Sequence, residues 1–149
     1  MDILLLLYLI LIVAPIGSIV HELGHALGAR ILSANHVILS IGTGKKLFHY
    51  SCKYLDVAIH PIYFIGGHSY SERGNPYKNH ELIWISICGP ISNGLFSLLF
   101  FYVYNLFPNS YIQLLILFNL WLALVNMIPF QFNGKQSDGY TVFKRILKK

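Results

Sequence analysis

His21-Glu22-Leu23-Gly24-His25 combines residue types and a spacing suited to metal chemistry. On a helix advancing about 100° per residue, His25 falls about 40° from His21 and Glu22 about 100° from it. Two imidazoles one turn apart can grip a single metal ion with a carboxylate alongside. In this H-E-x-x-H arrangement two His nitrogens bind zinc and the Glu serves as general base toward water. Ser18 shares the polar face, and Ile19, Leu23 and Leu27 take the opposite one. The segment interrupts an apolar run. At bilayer depth ionisable groups are costly and mark function, whereas a cluster built only for packing would use Ser, Thr or Asn more cheaply.

The elements that must position these residues follow from composition. The chain has 149 residues, 55% hydrophobic and 11% charged, with a mean hydropathy of +0.57. A soluble domain is about one-quarter charged, so the composition excludes a water-soluble enzyme, a disordered chain and a DNA-binding module. Bilayer-spanning helices need about 20 apolar residues, and three segments qualify: 3–32, 82–107 and 111–130. A cleaved signal peptide fits the first poorly, because Asp2 precedes it without any Lys or Arg, and Pro15-Ile16 interrupts its small residues. Pro108-Asn109-Ser110 is a tight turn that makes spans two and three antiparallel neighbours.

Within 33–80, Val37, Leu39 and Ile41 alternate with polar or small residues, and Gly42-Thr43-Gly44 marks a turn. Segments 47–52 and 54–60 supply further strand patterns, so a β-hairpin or three-stranded sheet is expected there. Gly66-Gly67 and Arg73-Gly74-Asn75-Pro76 read as loop. The tail, 131–149, begins as a polar loop with Asp138-Gly139 and ends in a short helix with Val142, Phe143, Ile146 and Leu147 on one side. The fold class is therefore a mainly α polytopic membrane protein, a single three-helix core with a small sheet between helices one and two. Cys52 and Cys88 form no framework and read as reduced thiols.

Charge placement gives an orientation. Arg30, Lys45, Lys46, Lys53, Arg73 and Lys78 fall between spans one and two, and Lys135, Lys144, Arg145, Lys148 and Lys149 follow span three. The positive-inside rule then puts the amino terminus outside and the sheet and tail in the cytoplasm. The net charge of +5 orients the chain and does not imply nucleic acid as a partner.

A catalytic zinc takes three protein ligands and leaves one position open. Spans one and three run parallel, so residues just after span three share the depth of His21 and His25. Asp138 is the acid in that place, with Asp56, His60 and His68 as alternatives. Ser86, Pro90, Asn93 and Ser97 line one stripe of span two, and Asn119, Ala123 and Asn126 one of span three. Small residues and amides of this kind pack helices together in bilayers.

Taken together, His21-Glu22-Leu23-Gly24-His25, Gly89-Pro90-Ile91-Ser92-Asn93 and Asn126-Met127-Ile128-Pro129 with later Asp138-Gly139 resemble the three motifs of the site-2 protease family of intramembrane zinc metalloproteases. Pro61 with Gly66-Gly67 resembles the family's loop near a membrane-associated β-segment. The resemblance implies that one zinc ion is held by His21, His25 and Asp138 and that Glu22 activates water. It also implies that Asn93 sits close to the site, steadying substrate or the developing oxyanion, and that Asn126 and Pro129 shape the turn leading to Asp138. The spacing from Pro129 to Asp138 is longer than in the family's compact form, and no PDZ or nucleotide-sensing domain is expected beside the core.

The expected activity is hydrolysis of peptide bonds in or near transmembrane segments at the cytoplasmic side of the bilayer. The expected partners are a membrane-protein or peptide substrate and the lipid bilayer. A second copy of the chain or a regulatory membrane protein are candidates for the lipid-facing sides. The alternatives are a non-proteolytic metal-binding membrane protein, an inactive relative, or a membrane-anchored protease acting on soluble peptides.

Overall fold

The computed structural model describes residues 2–132 and 134–147. Lys148 and Lys149 of the basic tail lie outside the described residues. Helix α1 (Ile3–Tyr8), a π-helical turn (Leu9–Val13) and α2 (Ala14–Ile31) form one continuous helix, Ile3–Ile31. Pro15 has no N–H to donate, and its ring crowds the carbonyl four residues back. The wider π turn just before it absorbs that crowding. Two further long helices follow, α3 (Asn79–Leu106) and α4 (Ser110–Met127). All three are long and apolar enough to cross a membrane. Leu95, Leu98, Phe101, Leu120 and Leu124 point outward from them and are exposed.

The Asn109 side chain caps α4 by accepting from the Ile112 amide at 2.9 Å, in the turn expected from Pro108-Asn109-Ser110. Helix α4 ends at Met127, short of the expected residue 130. Ile128 is already extended (φ −72°, ψ 127°), because the residue before a proline is steered out of the helical region. After a two-stranded β5 (Gln131–Phe132) and β6 (Lys135–Gln136), α5 (Asp138–Leu147) closes the chain.

The sheet corrects the expectation of a hairpin or three strands. It has four strands, β1 (His36–Thr43), β2 (Phe48–Cys52), β3 (Leu55–Ile59) and β4 (Ile62–Glu72), in the order β2-β3-β1-β4. Strands β1 and β3 are parallel, with Val37 opposite Leu55 and Ile41 opposite Ile59, while β4 runs antiparallel to β1. Gly66-Gly67, expected in a loop, lie inside β4, with Gly67 paired to Ile41. Val37 and Leu39, as their alternation implied, are buried against Ala26 and Ala29 of α2, with Ile85 of α3 packed alongside.

Arg73 fastens the connection between sheet and helices. Its guanidinium donates to both carboxylate oxygens of Glu81 at 2.8 Å and to the Leu32 carbonyl at 3.0 Å. The start of α3 and the end of α2 are thereby held together.

Helices α2 and α3 approach through small residues, and the stripe of Ser86, Pro90, Asn93 and Ser97 is buried. A β-carbon at Gly24 would overlap the Cys88 carbonyl and the Ser92 hydroxyl, and one at Gly28 would come 2.7 Å from Cys88 Sγ. Gly94, by contrast, faces open space. Overpacking a tight contact costs about 1–3 kcal/mol. Gly24→Ala should lower the stability of the detergent-solubilised chain by that amount in thermal or denaturant unfolding. Gly94→Ala should leave it unchanged or slightly raised.

Candidate metal centre

His21 and His25 lie one turn apart on α2, and Asp138 opens α5 beside them. Their Nε2 atoms are 3.2 Å apart. Asp138 Oδ2 is 2.9 Å from His21 Nε2, and its Oδ1 is 3.3 Å from His25 Nε2. The three side chains are only 11%, 11% and 17% exposed, so water does little to satisfy them.

The other ring nitrogens decide the chemistry. His21 Nδ1–H donates to Asn93 Oδ1 at 2.7 Å. Asn93 is fully buried, and its amide nitrogen donates to the Gly17 carbonyl and to Asn119 Oδ1, each at 2.9 Å. That pattern fixes which end of the amide faces His21. His25 Nδ1–H donates to the Ile85 carbonyl at 2.8 Å. Both Nε2 atoms therefore carry lone pairs, and with Asp138 they form a convergence of acceptors without a donor among them.

Such a cluster is costly unless a cation joins it. A tetrahedron with metal–ligand distances of about 2.0–2.1 Å has edges of about 3.3 Å, close to the donor separations here. Two neutral imidazoles with a carboxylate are a zinc-type donor set, and the residues fit such an ion. Among the described residues, this is the group of three or more His, Cys, Asp or Glu ligand atoms gathered within 4.8 Å.

Two glycines create the room. A β-carbon at Gly89 on α3 would overlap the His25 imidazole and lie 3.0 Å from His21 Cε1. One at Gly67 on β4 would lie 3.0 Å from Glu22 Cγ. Glu22 is buried, hydrogen-bonded by the Ser69 side chain, and opens on the same cleft of about 460 Å³ as the His pair. Gly67, His68, Ser86, Asn126 and Gln136 line that cleft as well. Asn126 also donates to the Leu122 carbonyl at 2.9 Å.

The alternative third ligands lie elsewhere. Asp56 is engaged by Ser51 at 2.5 Å and faces His36 at 3.3 Å. The Ser51 hydroxyl is the main reason its carboxyl is held below the usual range. His60 is tied to Ser40 and the Gly44 carbonyl. His68 reaches the cleft wall without joining the ligand group. Cys52 and Cys88 are free thiols. The sequence reading missed the Ile85 carbonyl, Ser69 and Gln136. A backbone carbonyl has no residue signature, and the Gly67 contact that brings β4 to Glu22 was concealed by the loop reading of Gly66-Gly67.

Three helices long and apolar enough to cross a membrane, around a buried His–His–Asp donor set with an adjacent glutamate, fit a multi-pass membrane protein with a metal-type site. The model of Peptidase family M50 matches residues 5–110, and the chain belongs to this family, the site-2 proteases. Membership makes the protein a peptidase of a membrane zinc-metalloprotease family. No curated protein matches the chain. The matched segment holds His21, Glu22, His25 and Asn93 but ends before Asp138. The case for Asp138 therefore rests on its position between the two imidazoles.

His21→Ala, His25→Ala and Asp138→Ala should each abolish stoichiometric zinc in the purified protein, measured by elemental analysis. Partners that orient metal-binding histidines are worth about 10–100-fold in affinity, so Asn93→Ala should weaken zinc by that factor in a chelator competition.

Proposed function

We propose that the protein is a zinc-dependent intramembrane endopeptidase that cuts peptide bonds in or near transmembrane segments at the cytoplasmic side of the bilayer. One observation carries the reading. Three acceptors converge without a donor, two of them on a helix long enough to span and the third at the start of α5, and an adjacent glutamate opens on the same cleft.

His21, His25 and Asp138 would hold the ion, and a zinc ion held there would supply a bound water with a pKa lowered toward about 7 and a Lewis acid for the scissile carbonyl. Glu22 accepts the proton of the attacking water and delivers it to the leaving amine. Asn93 acts through His21: its two amide hydrogens are committed to Gly17 and Asn119, so it orients the imidazole in preference to meeting an oxyanion. Asn126 and Pro129 shape the end of α4 from which the chain turns toward Asp138.

A transmembrane helix hides its carbonyls in its own hydrogen bonds, so substrate must unwind before attack. Strand β4 is an edge of the sheet, and Gly66, Gly67, His68 and Ser69 of this strand border the cleft. An unwound segment can pair there as an added strand. His25 stands six residues before the end of α2, about 9 Å along the axis at 1.5 Å per residue. Bonds near a membrane surface are within its reach. With the amino terminus outside, that surface is the cytoplasmic one. The partners are then the lipid bilayer and a membrane-protein or peptide substrate, and a second copy or a regulatory membrane protein can cover the lipid-facing sides.

In liposomes holding single-span substrates, the wild type should cleave and chelation should stop it. Glu22→Gln should retain zinc yet lose at least about 100-fold in rate, the lower range for general acid–base catalysis. Zinc binding with no cleavage of any substrate would instead favour a non-proteolytic metal-binding protein.

The strand-addition role has a separate test. Ser69→Pro on β4 should abolish cleavage at unchanged zinc content, and full activity of that variant would sink the role.

A further inference from the structure

The outer face of the sheet, turned away from the helices, holds a second cleft of about 550 Å³. Its charged and titratable lining is Lys46, His49, Asp56, His60, His68 and Lys135. The one carboxylate in this set is already engaged, since Asp56 takes the Ser51 hydroxyl at 2.5 Å and faces His36 at 3.3 Å and His49 at 4.0 Å. His60 is fixed in the floor, with Nδ1–H donating to the Gly44 carbonyl at 2.8 Å and Nε2 accepting from Ser40 at 3.0 Å. Lys46 and Lys135 make no ion pair among the described residues. The cleft thus presents two ammonium groups outside any ion pair, with the imidazoles of His49 and His68, around a carboxylate already engaged by Ser51 and His36.

This cleft continues the metal cleft. His68 lines both, and consecutive residues of β6 divide between them, with Gln136 in the metal cleft and Lys135 in the basic one. A chain lying along β4 past Glu22 runs from one to the other across His68.

We infer that this basic cleft is a substrate-recognition surface that seats an acidic peptide segment, the stretch flanking the substrate's transmembrane helix. The inference rests on the protease reading, because the occupant is its substrate. Charge complementarity supplies the specificity: carboxylates on the flanking stretch meet Lys46 and Lys135, whereas a basic stretch meets like charge. The cleft then selects among membrane segments by what adjoins them, which an apolar span alone cannot do.

The test uses the full chain carrying Glu22→Gln, so that nothing is cleaved, in detergent at low salt. Three fluorescent decapeptides differing only in four central residues, all Glu, all Ser or all Lys, are bound by anisotropy. The expected order is Glu over Ser over Lys, with at least about tenfold between the extremes. Lys46→Glu/Lys135→Glu should invert it, while Lys144→Glu/Arg145→Glu, which changes the net charge equally on α5, should keep it. Equal binding of the three peptides, or an unchanged order in the Lys46/Lys135 variant, overturns the proposal. Failure of the protease reading is seen separately, as intact charge-ordered binding in a protein whose wild type cleaves no membrane substrate.

Discussion

The helical core is organised by one constraint: two imidazoles can aim lone pairs at a single point only if their other nitrogens are occupied. His21 and His25 meet it differently. The first donates to a side-chain amide and the second to a main-chain carbonyl, both on α3. Buried as these groups are, either hydrogen bond left unmade would be expensive. Helix α3 must therefore run close to α2 along the whole motif, and Gly24, Gly28 and Gly89 make that approach possible. The stripe of small residues that looks like ordinary packing is thus also what brings Asn93 and Ile85 within reach of His21 and His25. Asn119 extends the same chain of hydrogen bonds to α4. The tautomer of His21 consequently depends on all three long helices.

The sheet answers a different demand. On the proposed protease reading, a site buried among helices needs a wall where an unfolded segment can find main-chain partners, and helices offer none. Strand β4, an edge of the sheet, is placed to supply it. Gly67 lets the strand lie directly on Glu22, and Val37 and Leu39 of the neighbouring β1 anchor the sheet on the small residues Ala26 and Ala29. Arg73 joins the strand's end to Leu32 and Glu81, so this wall is tied to the same two helices that carry the ligands. The cleft is therefore bounded on one side by rigid helices and on the other by an edge strand attached to them.

The sequence made some of this legible and hid the rest for identifiable reasons. Hydropathy alone located the three long helices, and the i, i+4 spacing of His21 and His25 required no tertiary knowledge. Asp138 followed from the parallel direction of the first and third long helices together with the scarcity of acids. The ends were less legible: α4 stops at Met127 because Pro129 overrides an apolar pattern that continues to Phe130. The sheet was the largest loss. Its parallel β1–β3 pairing joins strands separated by β2, and no local pattern encodes such a pairing. Gly66-Gly67 reads as a loop by composition, yet at Gly67 the missing side chain serves contact with Glu22 and not chain reversal. Close approach and flexibility call for the same residue, and only the neighbour distinguishes them.

The same dependence on neighbours separates the two carboxylates of the cleft. Asp138 faces both Nε2 atoms, one with each oxygen, and it sits on α5, which packs against α3 and α4. Glu22 faces Ser69 and Gly67 on β4 itself. A group that must take a proton from water and pass it to a leaving amine has to stand where the substrate backbone lies, and β4 is the edge on which that backbone can pair. A ligand has no such need and is best placed on the far side, where it leaves the approach to the ion open. On the proposed protease reading, the wall each occupies supports assigning the base to Glu22 and the ligand to Asp138. Exchanging their roles would put the proton acceptor behind the metal and the anchor in the path of the substrate.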